Sequence, residues 1–168
     1  MKGKVEYREI QRFRQKWIWL PLIGILGLFF WAIIQQVILG KPWGTKPASD
    51  SVLILISIIP IGLILLFSFS KLETNVTEKG IEYRFSPFHL KRHKIDWNMI
   101  EYAELRKYDP IKEYGGWGIK FGKRGKAFNV SGNIGLELKL KNRKKTILFG
   151  TQNPEELKRV VEQYIKMR

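Results

Sequence analysis

The hydrophobic pattern of this chain changes period twice. Ile18–Leu39 and Val52–Phe69 are apolar on every side and contain no Asp, Glu, Lys, Arg or His. From Leu72 onward apolar and polar residues alternate, and after Asn153 the spacing becomes three and four. At about 1.5 Å of rise per residue the two uncharged runs extend about 33 and 27 Å, close to the roughly 30 Å of a hydrocarbon core. A core helix of a soluble domain shows an apolar stripe, whereas a run apolar all round predicts a helix in lipid. Residues 18–70 are therefore expected to form a transmembrane hairpin with helices 18–39 and 52–69 and an exposed Pro- and Gly-rich loop, 40–51. Trp17, Trp19 and Trp43 lie near the ends of the runs, where indole rings settle at the water boundary; Trp31 lies inside the first. Gln35, Gln36 and the length of the first run argue against a cleaved signal peptide.

The alternating region, 71–168, reads as one small domain. Leu72–Val76 and Ile81–Phe85 flank the turn Glu78-Lys79-Gly80, which predicts a hairpin. Further strands are expected at Lys91–Ile95, Ile100–Lys107, Tyr114–Phe121, Lys126–Val130, Leu136–Leu140 and Thr146–Phe149, with Trp97–Ile100 as a tight turn, Asp109-Pro110 as a stop and Asn142-Arg143-Lys144 as a turn. Leu136, Leu138 and Leu140 alternate with Glu137, Lys139 and Lys141, the pattern of a half-buried strand. Asn153, Pro154 and Glu156 predict a capping box, and Leu157, Val160, Val161, Tyr164 and Ile165 fall on one face of the helix it starts. About seven antiparallel strands followed by one amphipathic helix imply an α+β domain, a bent sheet or partly open barrel capped by its last helix.

Residues 1–17 form a basic segment. Ile10, Phe13 and Trp17 are spaced by three and four with Arg and Lys between, which fits either a short helix on an anionic surface or a flank that merely fixes topology. The net charge of +15 distributes unevenly. Lys2, Lys4, Arg8, Arg12, Arg14 and Lys16 precede the first span, only Lys41 and Lys46 lie in the connector, and most of the excess follows the second span. Positive residues stay inside, so both termini are expected in the cytoplasm, with the chain a multi-pass protein of the inner (plasma) membrane.

Candidate chemistry is sparse. The absence of Cys removes disulfides, thiolate metal sites and a cysteine nucleophile. His89 and His93 with Asp96 have superficial metal-ligand spacing, but Lys91, Arg92 and Lys94 crowd them with positive charge. Gly122-Lys123-Arg124-Gly125-Lys126 lacks the strand-to-helix context of a phosphate loop and reads as a hairpin turn. Ser131-Gly132-Asn133 has no imidazole base tied to it and reads as a turn. Trp117, Phe121 and Phe128 are expected in the core or on a sheet surface. No catalytic residue, metal or cofactor is expected, and the spans hold no ionisable residue for ion or proton transport.

What remains is a binding surface. Lys91, Arg92, Lys94, Lys123, Arg124 and Lys126 form a basic patch suited to anionic lipid head groups or a protein partner, with solubility and topology as its plainer explanation. Gly24, Gly27 and Gly62 form small-residue notches for helix packing, the obvious partner of the first span being the second. The charge would suit nucleic acid, but no recognition motif accompanies it and a membrane anchor argues against it, so no nucleic-acid partner is expected. A homo-oligomer stays open.

The stretches Tyr114-Gly-Gly-Trp-Gly-Ile119, Lys126-Ala-Phe-Asn-Val-Ser-Gly-Asn-Ile-Gly135, Leu136-Glu-Leu-Lys-Leu140 and Gly150-Thr-Gln-Asn-Pro-Glu-Glu-Leu157 resemble a bacterial family of two-span membrane proteins with a pleckstrin-homology-like (PH-like) domain. The resemblance extends over nearly the whole chain. It implies a PH-like fold for 71–168 and a membrane-anchored binding or scaffolding module, or else an assembly subunit of a larger membrane complex. It carries over no catalytic residue. PH domains that bind inositol lipids use basic residues on their first hairpin; here that turn offers Lys79 beside Glu78, which argues against that ligand.

Overall fold

The computed structural model describes residues 4–141 and 143–165, so Lys2 of the basic flank and Asn142 of the expected turn lie outside it. The chain divides into two compact units: Met1–Arg12 together with Ser70–Arg168, and Phe13–Phe69.

The second unit is helical. Helix α1 (Lys16–Ile33) continues into a π-helical segment, Ile34–Ile38, and α2 (Asp50–Phe69) returns after the loop. Both are long and apolar enough to cross a membrane, and only 11% and 17% of their apolar windows are buried. The core helix of a soluble protein is mostly covered, whereas these two leave most of their apolar surface open. The two helices pack on one another, and Ala32, Leu53, Ser57 and Pro60 are their buried residues. At the loop end the Gln36 amide donates to the Ala48 carbonyl (2.7 Å) and to Asp50 Oδ1 (2.8 Å), clasping the connector. At the other end the rings of Phe13 and Phe67 meet edge to face at 5.2 Å.

The first unit is α+β. Among the described residues it holds nine strands in two sheets, more than the seven or so expected. One sheet runs β1 (Val5–Arg12), β2 (Lys71–Thr77), β3 (Gly80–Ser86) and β4 (His93–Asp96) in that order, all antiparallel. The other has the order β5 (Ile100–Lys107), β8 (Ile134–Leu140), β9 (Thr146–Gly150), β7 (Gly125–Asn129), β6 (Gly118–Phe121), with β7 and β9 parallel. Its inner face presents Leu136, Leu138, Ile147, Phe149 and Phe128; the first sheet supplies Leu72, Val76, Ile81, Phe85 and Ile95.

The basic segment is the main correction. No helix forms over residues 5–12; they pair with β2, and Tyr7, Glu9 and Gln11 are buried while Arg8, Ile10 and Arg12 are exposed. The inward face of β1 is largely polar, so its period-two pattern carries no hydrophobic signal, and its partner lies beyond the whole hairpin. Ile10 and Phe13, read as one stripe, belong to different units.

Two local expectations also change. Asp109-Pro110 ends β5 but opens a short helix, α3 (Pro110–Tyr114): Asp109 Oδ1 accepts the amides of Ile111 and Lys112 (both 3.0 Å), and Gly115 closes it at φ 73°. The strand expected from Tyr114 therefore starts only at Gly118. The last helix, α4 (Pro154–Val161), buries Leu157, Val160 and Val161 as its stripe requires. Its capping box does not form: the Asn153 side chain makes no capping bond, and the Thr151 hydroxyl accepts the Asn153 amide at 3.1 Å instead. Tyr164, beyond the helix, stacks on Trp97 with centroids 4.9 Å apart.

Candidate functional site

Strand register builds a charged face that the linear sequence hides. Arg8, Asn75, Glu82 and Lys94 lie opposite one another across four strands; Ile10, Glu73 and Arg84 form the next row, and Arg12, Lys71 and Ser86 the last. Alternation sends all of these to the outer face of the first sheet. At its centre sits Glu73, 3% exposed, with Lys71 Nζ at 2.8 Å, Arg84 Nη2 at 2.9 Å and Arg92 Nη2 at 3.0 Å. Burial alone would raise the Glu73 carboxyl, but hydrogen bonds from Lys71, Arg84 and Arg92 outweigh it and bring it down to about 2. One carboxylate thus holds three cations from separate segments. Beside it a recess of about 430 Å³ is lined by Glu82, Arg84, Arg92, His93 and Lys94.

The predicted basic patch draws its residues from two neighbouring loops and from β4. Lys91 and Arg92 stand on the β3–β4 loop, and Lys94 on β4 pairs with Asp96. Lys123 and Arg124 occupy the β6–β7 turn, closed by the Gly122 amide on the Gly125 carbonyl (2.8 Å), which is the hairpin reading of that glycine-lysine stretch. Arg124 lies 3.7 Å from the buried Glu137. Lys126 is half-buried, its Nζ 4.6 Å from the Phe128 ring centre and 5.2 Å from that of Phe121; burial first, and Arg143 second, lower its pKa. Arg8, Arg12, Lys71 and Arg84 are members of the basic face that sequence reasoning missed. Only pairing across the hairpin reveals them.

The two histidines meet, their ring centres 4.5 Å apart, with Tyr83 stacked on His93 and Phe128 and Phe149 tilted against Tyr83 behind. His89 Nδ1 accepts the Phe85 amide at 3.2 Å, and burial, His93 and Lys126 all lower the His89 pKa. Asp96 is turned to the opposite face of β4 toward Lys94, and no group of three potential metal ligands occurs among the described residues. Ser131 Oγ accepts the Gln152 side-chain amide at 2.6 Å. Phe128 is fully buried whereas Phe121 is exposed.

On the reverse of the second sheet, Arg106 bridges Glu137 (2.8 Å) and Glu113 (2.9 Å), and Thr146 donates to Glu137 at 2.7 Å. Together with Tyr108 and Tyr114 packed on Ala127 and Leu148, this fastens α3 to the sheet.

The helix-packing glycines are placed differently from expectation. A Cβ added at Gly24, Gly27 or Gly62 would meet nothing within 4 Å. At 100° per residue Gly27 lies about 140° around its helix from the buried Ala32, and Gly62 about 140° from the buried Ser57, so neither notch receives the other span.

Comparison with protein-family models, with curated proteins and with solved structures gives no match for this chain.

Proposed function

We propose that the chain is a membrane-anchored, non-enzymatic binding or scaffolding module of a bacterial inner membrane. Its helical hairpin spans the bilayer, and its two-sheet body stands in the cytoplasm as a PH-like domain that contacts anionic head groups or recruits a protein. The observation that carries this reading is the pairing of β1 with β2, the strands on either side of the hairpin. Both ends of the hairpin are rooted in one sheet, so a pair of spans would return the chain to the side it left. The excess of Lys and Arg there favours the cytoplasmic side. Two sheets closed by a carboxy-terminal helix are compatible with the PH-like resemblance, and the outer face of the first sheet offers a basic surface.

The test is fractionation of cells producing the full-length chain. It is expected to resist alkaline carbonate extraction and to be spared by protease added to spheroplasts. Release into the aqueous fraction, or digestion of the carboxy-terminal half from outside, would overturn the reading.

A second reading, an assembly subunit acting through its spans, draws on the open notches at Gly24, Gly27 and Gly62, which leave room for a helix from another chain. In-membrane crosslinking separates the two: a membrane-embedded partner lost in G24L/G27L favours assembly, and a soluble partner retained in that variant favours recruitment.

A further inference from the structure

Three loops of the sheet unit carry eight cations and no acid: Lys91 and Arg92 on the β3–β4 loop, Lys123, Arg124 and Lys126 around the β6–β7 turn, and Arg143, Lys144 and Lys145 before β9. They are neighbours. His89 faces Phe128 at 5.5 Å, Lys126 sits over both Phe128 and Phe121, Thr146 N donates to the Arg124 carbonyl at 3.0 Å, and Arg143 acts electrostatically on Lys126. Among these cations stand three large apolar side chains that are mostly exposed: Leu90 is 90% exposed, Phe121 75% and Phe88 59%. One exposed leucine is ordinary; three at the tips of adjoining basic loops are not.

Connectivity says where the first of these loops lies. Arg12, Lys71 and Ser86 are paired side by side across β1, β2 and β3. At about 4.8 Å between strands, Ser86 is about 5 Å from Lys71, which follows the second apolar helix by two residues, and about 10 Å from Arg12, which precedes the first. The loop bearing Phe88 and Leu90 thus leaves the sheet at the end where the chain departs for the hairpin and returns from it. Apolar tips ringed by cations match the layered chemistry of an anionic bilayer, phosphate outside and acyl chain within.

From this we infer that Phe88, Leu90 and Phe121 insert into the interfacial layer of the anionic bilayer that holds the hairpin, seating the sheet unit on the membrane surface. The inference rests on the membrane reading above and adds a second, peripheral attachment to it. Lys91, Lys123 and the β8–β9 lysines supply the attraction to phosphate, and the three apolar side chains supply depth.

The natural absence of Cys permits single-cysteine reporters in the full-length chain. Variants L90C, F121C, E78C and I56C carry a fluorophore and are reconstituted in vesicles of phosphatidylcholine with or without phosphatidylglycerol, doped with brominated lipid. Glu78 lies in the β2–β3 turn, at the opposite end of the first sheet from Ser86, and Ile56 lies in α2. Expected are quenching of I56C in both vesicles, quenching of L90C and F121C with phosphatidylglycerol, loss of that quenching in neutral vesicles, and none for E78C. If L90C and F121C stay as unquenched as E78C while I56C is quenched, the inference falls and the anchored module stands. If I56C is unquenched as well, the membrane reading falls and takes the inference with it. If the tips are shielded only in native membranes and never in pure lipid, their partner is a protein and lipid insertion is overturned.

Discussion

Glu9 Oε1 accepts the backbone amide of Gln152 at 2.7 Å, joining positions separated by 143 residues of chain. The other carboxylate oxygen accepts the hydroxyls of Tyr7 (2.7 Å) and Thr151 (2.8 Å), and the neighbouring Gln11 amide donates to the Gly150 carbonyl at 2.6 Å. Burial first, and the bond to Glu9 second, push the Tyr7 hydroxyl well above its ordinary range, so it remains a donor at any physiological pH. This polar seam is where the amino-terminal strand is locked to the last strand and the start of α4.

Glu9→Ala takes the acceptor from two buried hydroxyls, those of Tyr7 and Thr151, and from the part-buried Gln152 amide; the hydroxyls, 3.4 Å apart, can pair only with each other, and a buried donor left orphaned costs about 1–3 kcal/mol. The variant is expected to melt well below the parent chain in detergent, followed by near-ultraviolet circular dichroism. An unchanged midpoint would mean the seam contributes nothing.

Removing residues 1–12 should be more severe still, because it strips β1 from the first sheet and exposes the edge of β2. A carboxy-terminal fragment beginning at Ser70 is expected to give a poorly dispersed amide spectrum, recovered when a peptide of residues 4–12 is added. A well-dispersed spectrum from the fragment alone would contradict the pairing seen here.

The Glu73 carboxyl, ordinarily at 4.5 and brought to about 2 in the folded chain, makes stability depend on pH. A depressed carboxyl contributes fully above its unfolded value and is lost as pH falls through the folded one, so the loss lies between about pH 4.5 and 2. Denaturation midpoints of the parent chain are expected to decline across that window, and those of Glu73→Gln to start lower and decline less there. Parallel profiles for the two proteins would show that Glu73 is not the responsible group.

Glycine positions give opposite expectations in the two units. A Cβ at Gly125 would collide with the Thr146 carbonyl opposite it, where parallel β7 and β9 begin to pair, whereas one at Gly27 meets open space. Gly125→Ala is therefore expected to cost about 1–3 kcal/mol, in the range of overpacked sites. Gly27→Ala in a helix should be neutral or slightly favourable, within about 1 kcal/mol. Thermal melts of the two variants side by side decide it.

These contrasts mark how far the sequence could be read. The apolar helices were legible because a run without charge has few alternatives, and the β2–β3 hairpin and β8 because their alternation is local and hydrophobic on one side. β1 was not, since Glu9 and Gln11 point inward and the strand it needs lies on the far side of two helices. α3 was signalled by Asp109 and Pro110, yet the glycines after Tyr114 suggested an extended chain. In the basic face, Lys91, Arg92 and Lys94 were visible as a run, while Arg8, Arg12, Lys71 and Arg84 are brought beside them by register alone. The exposure of Leu90 and Phe121 could not be told from composition, because the same residues in a strand would be counted as core.

The pairing of β1 with β2 also orders events in time. A ribosome releases β1 first, then the helices, and only afterwards β2, so the first sheet has no second strand until the hairpin has been fully made. The side chains of Glu9 and Gln11 wait longer still, because their partners at Gly150, Thr151 and Gln152 are made only at and after the end of the last strand. Order of synthesis thus makes β1 the longest-waiting strand of the sheet it edges.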